Sequence, residues 1–210
     1  MSEDDDAIEA ARKLFAGECE FIWGTGSIDS LPPQTLPEVA FVGRSNAGKS
    51  SLINALTARK ALARVSHTPG RTREINFFEL GERLMLVDLP GYGYAKASKT
   101  LAAEWQKLIF AYLRGRSILR RVVLLIDARR GTLEIDRAVM GLLDQAAVSY
   151  CLVLTKIDEL SVPEQAQAIS DIEAESVKHT AAYPQTFATS AHKGLGLEAL
   201  KAQLAALAVP

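Results

Sequence analysis

The sequence predicts an α/β fold with a mostly parallel six-stranded sheet, helices on both faces and one antiparallel edge strand. Three observations support this prediction. Strand-like segments alternate with segments of helical periodicity along the chain. The strand-like segments are continuous runs of valine, leucine and isoleucine, which is typical of parallel sheets buried on both faces. Two of them form a hairpin between residues 75 and 88, which requires one strand to run antiparallel.

An acidic arm precedes the predicted sheet. Residues 1–18 have apolar residues at helical spacing, and residues 19–210 are predicted to form a single domain. The apolar positions of the arm are Ile8, Ala11, Leu14 and Phe15. A proline-rich, extended stretch at residues 29–37 then leads into the first predicted strand.

The first half of the sheet is predicted from three apolar segments. EVAFVG is a buried strand that ends at a glycine, and the helix KSSLINALTA follows it. Residues 59–74 are polar and basic without an apolar period, so we predict a loop there. EINFFEL and RLMLVDL are strands joined by a turn at Gly81 and Glu82.

The second half continues the alternation of helices and strands. Helices are predicted from about Lys99 to Leu113, at 134–147 and at 163–179, with the strands RVVLLID and SYCLVLT between them. QTFATS is the last strand, and LGLEALKAQLAALA is the last helix.

Length and composition limit the kind of protein this is. A chain of 210 residues, 48% of them hydrophobic, suits one well-packed core. The net charge is −1, but the first ten residues contain five acidic side chains. The rest of the chain then has 24 basic against 20 acidic side chains, a net charge of +4. That excess is too small for a free-standing DNA-binding protein.

The sequence also suggests a compartment. No apolar run approaches the ~20 residues that would span a bilayer, and the acidic N-terminus does not resemble a signal peptide. We therefore expect a cytoplasmic monomer without a membrane span. Cys19 and Cys151 are expected to be reduced thiols. The three histidines, His67, His179 and His192, lack metal-ligand spacing and are predicted to lie on the surface or in loops.

The stretch GRSNAGKSS matches G-x-x-x-x-G-K-[ST] between a predicted strand and a predicted helix, which is the context that a phosphate-binding P-loop requires. Backbone N–H groups at a helix N-terminus bind phosphates. Lys49 is expected to reach the β- and γ-phosphates, and Ser50 to bind Mg²⁺. The candidate binding residues here are Gly43, Arg44, Ser45, Asn46, Ala47, Gly48, Lys49, Ser50 and Ser51.

The stretch DLPG follows a second strand. Asp88 is expected to hold Mg²⁺ through water, and the Gly91 N–H to contact the γ-phosphate. Leu89 and Pro90 complete this candidate segment. Following a P-loop, D-x-x-G at a strand end indicates a nucleoside triphosphatase.

TKID ends the strand SYCLVLT and indicates guanine as the base. The Asp158 carboxylate can accept hydrogen bonds from the ring N–H and the exocyclic amine of guanine, which adenine does not present. The Lys156 stem is expected to lie over the base, and the Ala191 N–H to meet the guanine oxygen. The candidate base-binding residues are Thr155, Lys156, Ile157, Asp158, Thr189, Ser190 and Ala191.

A threonine from the loop SHTPGRTREINFF is expected to complete the Mg²⁺ site. We favour Thr72, because it lies just before the strand that the loop enters, and keep Thr68 as the alternative. The candidate residues of this loop are Gly70, Arg71, Thr72, Arg73 and Glu74. We assign Lys49, Thr72 and Gly91 to the hydrolysis reaction itself.

These motifs, in this order, resemble the EngB family (also YihA or YsxC), in the TrmE-Era-EngA-EngB class of GTPases. GRSNAGKSSLINAL, TPGRTREINFF, DLPGYGYAK and TKID are the stretches with this resemblance, which extends from about residue 21 to 207. It implies a Ras-like P-loop G domain that binds GTP and Mg²⁺. It also implies a role in assembling the large ribosomal subunit, with rRNA and ribosomal proteins as partners, and in normal cell division and septation.

Tyr92 follows the glycine of DLPG, where many GTPases place a glutamine that orients the attacking water. Two hypotheses explain hydrolysis without it. A potassium ion bound by Asn46 could supply positive charge, which the resemblance to TrmE-like GTPases suggests; Asn46 could instead only stabilise the loop. A partner could also position the water. Either hypothesis predicts slow hydrolysis by the isolated protein.

Basic residues occur in three groups: in or near the loop at residues 59–74, after the DLPG segment, and before the strand RVVLLID. Basic groups near nucleotide-sensitive loops suit contacts with RNA phosphates, although each residue could be ordinary solvated surface. They are Arg59, Lys60, Arg64, Arg71, Arg73, Lys96, Lys99, Arg114, Arg116, Arg120 and Arg121. Tyr92 and Tyr94 are expected to pack against the neighbouring helix, although stacking on a base is an alternative. Arg129 and Arg130 are predicted to lie in a loop without a further role.

Two other classes of function compete with a GTPase switch. One is a nucleotide-regulated interaction protein acting in cell division, in which hydrolysis is incidental. The other, a P-loop kinase, is disfavoured because it gives TKID no purpose.

Overall fold

A computed structural model describes residues 3–63, 74–93 and 99–209 of the chain. It contains seven strands and six α-helices in these residues. The strands are β1 (Cys19–Thr25), β2 (Glu38–Gly43), β3 (Ile75–Leu80), β4 (Leu84–Asp88), β5 (Leu119–Asp127), β6 (Tyr150–Thr155) and β7 (Phe187–Ala188). The helices are α1 (Glu3–Ala16), α2 (Lys49–Leu56), α3 (Lys99–Gly115), α4 (Glu134–Ala146), α5 (Val162–Ser176) and α6 (Leu197–Ala205).

The strands form one sheet in the order β1-β3-β4-β2-β5-β6-β7. Strand β2 pairs in parallel with β4 and β5, and β6 pairs in parallel with β5 and β7. Only β3 runs against its neighbours, β1 and β4. The predicted α/β class and the mostly parallel sheet are confirmed.

The strand count and the position of the antiparallel strand differ from the prediction of six strands. CEFIWGT forms β1, and this strand rather than β3 lies at the edge of the sheet. The apolar run in CEFIWGT is only three residues long, Phe21 to Trp23, and residues 20–24 are all exposed, unlike the long buried runs of the central strands. Phe21 of β1 makes an edge-to-face contact with Phe78 of the neighbouring strand β3.

The predicted hairpin between β3 and β4 is confirmed, with its turn at Gly81 and Glu82. Both residues have positive φ, 57° and 56°, in the three-residue connection between Leu80 and Leu84. Glycine adopts this conformation freely, whereas Glu82 is one of five non-glycine residues at positive φ in the described part of the chain.

Each face of the sheet carries its own hydrophobic core, because successive residues of a strand point to opposite faces. Helices α3, α4 and α5 cover one face, and α1, α2 and α6 cover the other. Strand β5 shows the alternation: Val122 and Leu124 belong to the first core, and Val123 and Leu125 to the second.

The acidic N-terminal segment forms α1, which packs against α6. Ala11, Leu14 and Phe15 are buried there as the helical spacing predicts, whereas Ile8 is exposed. The division of the chain at residue 18 stays a prediction. In the described residues, no helix is long and apolar enough to cross a bilayer.

The predicted thiols are confirmed, since Cys19 and Cys151 are both free and buried. Burial raises the pKa of Cys19 to about 11 and that of Cys151 to about 12, so both stay protonated at neutral pH. His179 is not simply a surface residue, because its Nδ1 lies 2.7 Å from Asp144 Oδ2 and its side chain is largely buried.

A buried charge cluster joins β2 to the end of α3. Glu38 accepts a hydrogen bond from the Tyr112 hydroxyl at 2.8 Å and pairs with the Arg116 guanidinium. Burial, reinforced by the Glu38 charge, raises the pKa of Tyr112 well above its ordinary value. Arg116 is therefore buried and does not face RNA, contrary to the prediction. Arg121 is also buried, with its guanidinium 3.9 Å from the ring centroid of Tyr183, so the prediction is wrong for this residue too.

Arg116→Ala is expected to lower the free energy of unfolding by about 3–5 kcal/mol, because it leaves the buried Glu38 carboxylate without its charge partner. The measurement is urea unfolding followed by circular dichroism. The control is Arg120→Ala, which removes an exposed arginine and should change stability by less than about 0.5 kcal/mol. Equal effects of the two variants would contradict a structural role for the pair.

Candidate nucleotide-binding site

The predicted motifs lie on loops that leave one edge of the sheet. GRSNAGKSS follows β2, DLPG spans the end of β4, TKID spans the end of β6, and TSA follows β7. These four strands run in the same direction, so their carboxyl ends lie along the same edge. In open α/β sheets this edge is where ligands bind.

The loop after β2 has the form of a phosphate cradle. Helix α2 begins at Lys49, and Gly48 precedes it with φ of 90°, a conformation that side chains strongly disfavour. The first N–H groups of a helix have no partner within it, so they are free to bind an anion. Asn46 also has positive φ, at 65°, and is exposed, while Ala47 is buried in the core.

The loop after β6 holds this cradle in place. The Thr155 hydroxyl donates to the carbonyl oxygen of Ala47 at 2.6 Å. Lys156 Nζ donates to the carbonyl oxygen of Asn46 at 2.8 Å and reaches Asp127 Oδ2 at 2.9 Å. Lys156 has positive φ, at 57°, which turns the chain so that its side chain crosses to the phosphate loop. The loops after β2 and β6 are therefore one connected unit.

A cavity of about 440 Å³ lies beside these loops. It is large enough for a small-molecule ligand. Its lining residues are Gly48, Ser51, Leu52, Thr155, Lys156, Asp158, Glu159, Thr189, Ser190, Ala191, His192 and Lys193. The predicted base-binding residues therefore surround one cavity, with the exception of Ile157, which is buried in the hydrophobic core.

Asp158 is held in the form that guanine recognition requires. A hydrogen bond with the Ser190 side chain is the main cause that lowers the pKa of Asp158, and His192 and Lys193 contribute. Ser190 is itself fixed, since its hydroxyl accepts from the Lys193 N–H at 2.9 Å. An ionised carboxylate accepts hydrogen bonds only, so it matches two neighbouring donors on a base.

An ionic network outside the predicted set supports the lysine of TKID. Asp127 ends β5 and contacts Arg129 Nη2 at 2.7 Å as well as Lys156. Burial alone would raise the Asp127 pKa, but the hydrogen bonds from Arg129 and Lys156 lower it well below its usual range. Arg129 Nη1 also donates to Glu159 at 2.7 Å. Arg129 was predicted to be a loop residue without a further role. It instead links Asp127 to Glu159, a residue that lines the cavity.

Sequence reasoning missed this network, because two of its contacts, Asp127 with Lys156 and Arg129 with Glu159, join residues about 30 positions apart. The only available signal was an aspartate at the end of a buried strand, followed two residues later by an arginine. Aspartate at the carboxyl end of a central parallel strand lies at the ligand-binding edge of the sheet.

The residues predicted to hold Mg²⁺ fit that ion as far as they are described. Lys49 Nζ pairs with Asp88 Oδ1, and Ser50 lies in the first turn of α2. One carboxylate and one hydroxyl, with nucleotide phosphates, are the kind of hard oxygen donors that Mg²⁺ prefers. Thr68 and Thr72, the alternatives for the remaining protein ligand, lie outside the described residues.

The other positions of the predicted switch segments are only partly described. Gly70, Arg71 and Arg73 lie outside the described residues, as do His67, Arg64, Tyr94 and Lys96. Glu74 is exposed just ahead of β3. In DLPG, Leu89, Pro90 and Gly91 are all buried.

Gly91 lies directly against the phosphate loop. A Cβ atom at this position would lie 3.3 Å from the carbonyl oxygen of Gly43 and 3.5 Å from the backbone nitrogen of Ser45. The lack of a side chain therefore allows the two backbones to approach closely.

Tyr92 packs against its neighbours, as predicted. Its ring makes an edge-to-face contact with Trp105 at 5.4 Å between centroids, and its hydroxyl donates to Asp136 Oδ1 at 2.7 Å. Only 4% of the residue is exposed. Tyr92 is therefore not available to orient a water molecule in the cavity.

Comparisons with known proteins agree with this geometry. A family model described as "50S ribosome-binding GTPase" matches residues 38–156. A probable GTP-binding protein EngB of Gluconobacter oxydans is 57% identical over 203 residues, covering 97% of this chain and 89% of that protein. Its counterpart in Rhodospirillum rubrum is 56% identical, covering 97% of this chain and 90% of that protein.

Solved structures share the fold. The crystal structure of a probable GTP-binding protein engB has a TM-score of 0.64 and 23% identity, covering 81% of this chain and 97% of that chain. Era, solved in complex with MgGDPNP and nucleotides 1506–1542 of 16S ribosomal RNA, has a TM-score of 0.63 and 22% identity, covering 85% of this chain and 58% of that chain.

Asp127→Asn is expected to weaken binding of guanine nucleotides by about tenfold, because Lys156 and Arg129 lose a charge-assisted partner, an interaction usually contributing about 1.5–3 kcal/mol. The measurement is a titration with fluorescently labelled GDP. Asp171→Asn makes the same chemical change on the exposed face of α5 and should leave the affinity unchanged. Matching affinities for the two variants would show that Asp127 does not support the site.

Proposed function

Because this chain belongs to the EngB family of GTP-binding proteins, we propose that it is a GTP-hydrolysing switch in the assembly of the large ribosomal subunit. Membership of the family makes the chain a GTPase; the ribosomal role is the proposal. The proposal includes the requirement for normal cell division and septation that the resemblance implies. It is supported by the family description, which names binding to the 50S ribosome.

The observation that carries the proposal is the burial of Tyr92, in a chain whose predicted base-binding residues line one cavity. A site that binds GTP without a water-orienting side chain after the D-x-x-G glycine should hydrolyse it slowly alone. Slow hydrolysis suits a switch whose lifetime is set by the complex in which it acts. We propose that the large ribosomal subunit organises the attacking water.

The proposed site residues have separate roles in binding. Lys49 and the N–H groups at the start of α2 hold the phosphates, and Gly91 presents its N–H to the γ-phosphate. Asp158 selects guanine. Ser50 and Asp88, with Thr72, would hold Mg²⁺, which neutralises phosphate charge when bound.

GTP is proposed to act through two loops, residues 64–74 and 89–99. Contacts of these loops with the γ-phosphate and the metal would order them, and hydrolysis would release them. Exposed basic residues away from the cavity, among them Arg59, Lys60 and Arg120, are proposed to contact rRNA phosphates. Asn46 is the proposed potassium ligand, since its exposed amide provides a hard oxygen donor.

Single-turnover GTP hydrolysis, with and without purified large ribosomal subunits, tests the proposed function. We expect the subunits to accelerate hydrolysis, approaching the ~10³-fold effect of partner-supplied groups in other GTPases. Small ribosomal subunits serve as the control. A parallel series in sodium buffer separates the potassium contribution from that of the partner. No stimulation, with no GTP-dependent binding in the same tubes, would favour an interaction protein acting in cell division.

Asp158→Asn is expected to shift the preference from guanosine to xanthosine nucleotides, because the amide can donate to the additional carbonyl of xanthine. The loss for GDP should reach at least about 100-fold, since buried polar groups left unpaired discriminate strongly. Competition titrations with GDP and XDP measure the change, with Asp171→Asn as the matched control. An unchanged guanosine preference would remove Asp158 from the site.

A further inference from the structure

We propose that Asp136, together with Arg44 and Tyr92, is a positioning residue that fixes the Gly91 amide at the γ-phosphate end of the site. The proposal rests on the proposed function and deepens it. In this proposal, Tyr92 does not orient the attacking water as a glutamine would. It holds in place Gly91, whose N–H is proposed to contact the γ-phosphate.

The anchor is a buried carboxylate with three partners. Asp136 is fully buried, and its Oδ1 accepts the Tyr92 hydroxyl at 2.7 Å. Its Oδ2 accepts the Leu133 N–H at 2.8 Å, at the start of α4. Arg44 Nε lies 3.2 Å from Oδ1 and forms an ion pair with it, although this N–H makes no hydrogen bond. Moving Tyr92 away would leave this buried carboxylate without one of its partners, which costs free energy. Asp136 therefore holds the Tyr92 side chain in place.

The backbone of Tyr92 is tied to the phosphate loop. Its N–H donates to the carbonyl oxygen of Gly43 at 3.2 Å, and its carbonyl oxygen accepts the Ser45 N–H at 2.8 Å. Arg44, between these two residues, donates from Nη2 to the carbonyl oxygen of Gly131 at 2.9 Å. Arg44 and Tyr92 therefore connect the phosphate loop to α4 from two directions.

A second contact holds the chain on the other side of Gly91. Trp105 Nε1 donates to the carbonyl oxygen of Pro90 at 2.7 Å, and its ring packs against Tyr92. Gly91 thus lies between two fixed residues and against the backbone of the phosphate loop. Its N–H can be held in one place before the nucleotide arrives, which is the condition for stabilising a charge without reorganisation.

A purely structural role would affect both nucleotides alike. Gly91 is proposed to meet only the γ-phosphate, whereas GDP is held by the remainder of the phosphate loop and by Asp158. Loosening the anchor should therefore weaken GTP selectively. The ratio of the affinities for a non-hydrolysable GTP analogue and for GDP distinguishes the two roles.

The chain contains a matched control for the hydroxyl of Tyr92. Tyr112 is also buried and also donates to a buried carboxylate, that of Glu38, at 2.8 Å. Glu38 begins β2, whereas the phosphate loop follows the other end of the same strand. Tyr92→Phe and Tyr112→Phe therefore delete equivalent hydrogen bonds, one beside the site and one remote from it.

The experiment measures binding of the GTP analogue and GDP by calorimetry, and single-turnover GTP hydrolysis, for both variants and for Asp136→Asn. We expect Tyr92→Phe and Asp136→Asn to lower the affinity for the GTP analogue by about tenfold, equivalent to ~1.4 kcal/mol of binding free energy. Binding of GDP should change by less than about twofold, and hydrolysis should slow. Tyr112→Phe should leave the affinity ratio at the wild-type value even if it lowers stability.

Equal weakening of GTP and GDP in Tyr92→Phe, or the same affinity ratio as in Tyr112→Phe, would overturn the positioning role. A wild-type protein that is not stimulated by large subunits would contradict the proposed function instead. The two failures are distinguishable, because the affinity ratio is measured without ribosomes.

Discussion

The nucleotide site depends on the parallel alignment of β2, β4, β5, β6 and β7. Gly43, the last residue of β2, pairs with Leu125 of β5, and Asp127, the last residue of β5, pairs with Thr155 of β6. A shift of one residue along any of these pairs would turn the strand's core side chains to the wrong face. The register that builds the two hydrophobic cores therefore also sets the positions of the phosphate loop after β2 and of the TKID loop after β6.

The loops then hold one another. The phosphate loop accepts hydrogen bonds from Thr155 and Lys156, and it is bonded through its backbone to Tyr92. The loops after β2, β4 and β6 are therefore connected by direct hydrogen bonds. Because these contacts already order the side chains and the backbone in the free protein, binding a ligand costs less conformational entropy.

Much of this architecture could be predicted from the sequence, because it is encoded locally. Apolar runs identify the central strands, and a glycine-rich motif between a strand and a helix identifies the phosphate loop. Partnerships between distant residues could not be predicted. Nothing local distinguishes Arg116, which is buried on Glu38, from Arg114, which is exposed, or pairs Asp127 with Lys156. Strand β1 was missed because the outer edge of a sheet does not require an apolar pattern.

The central claim is that these loops form a site for guanine nucleotides. Displacement of bound fluorescent GDP by unlabelled GTP and by ATP, in the wild-type protein with Mg²⁺, tests it most directly. The account predicts that GTP displaces the probe when it is in modest excess over the probe. ATP should not displace the probe even at about 1,000-fold excess over it, since an adenine would leave the Asp158 carboxylate unpaired. Equal displacement by ATP and GTP would contradict it.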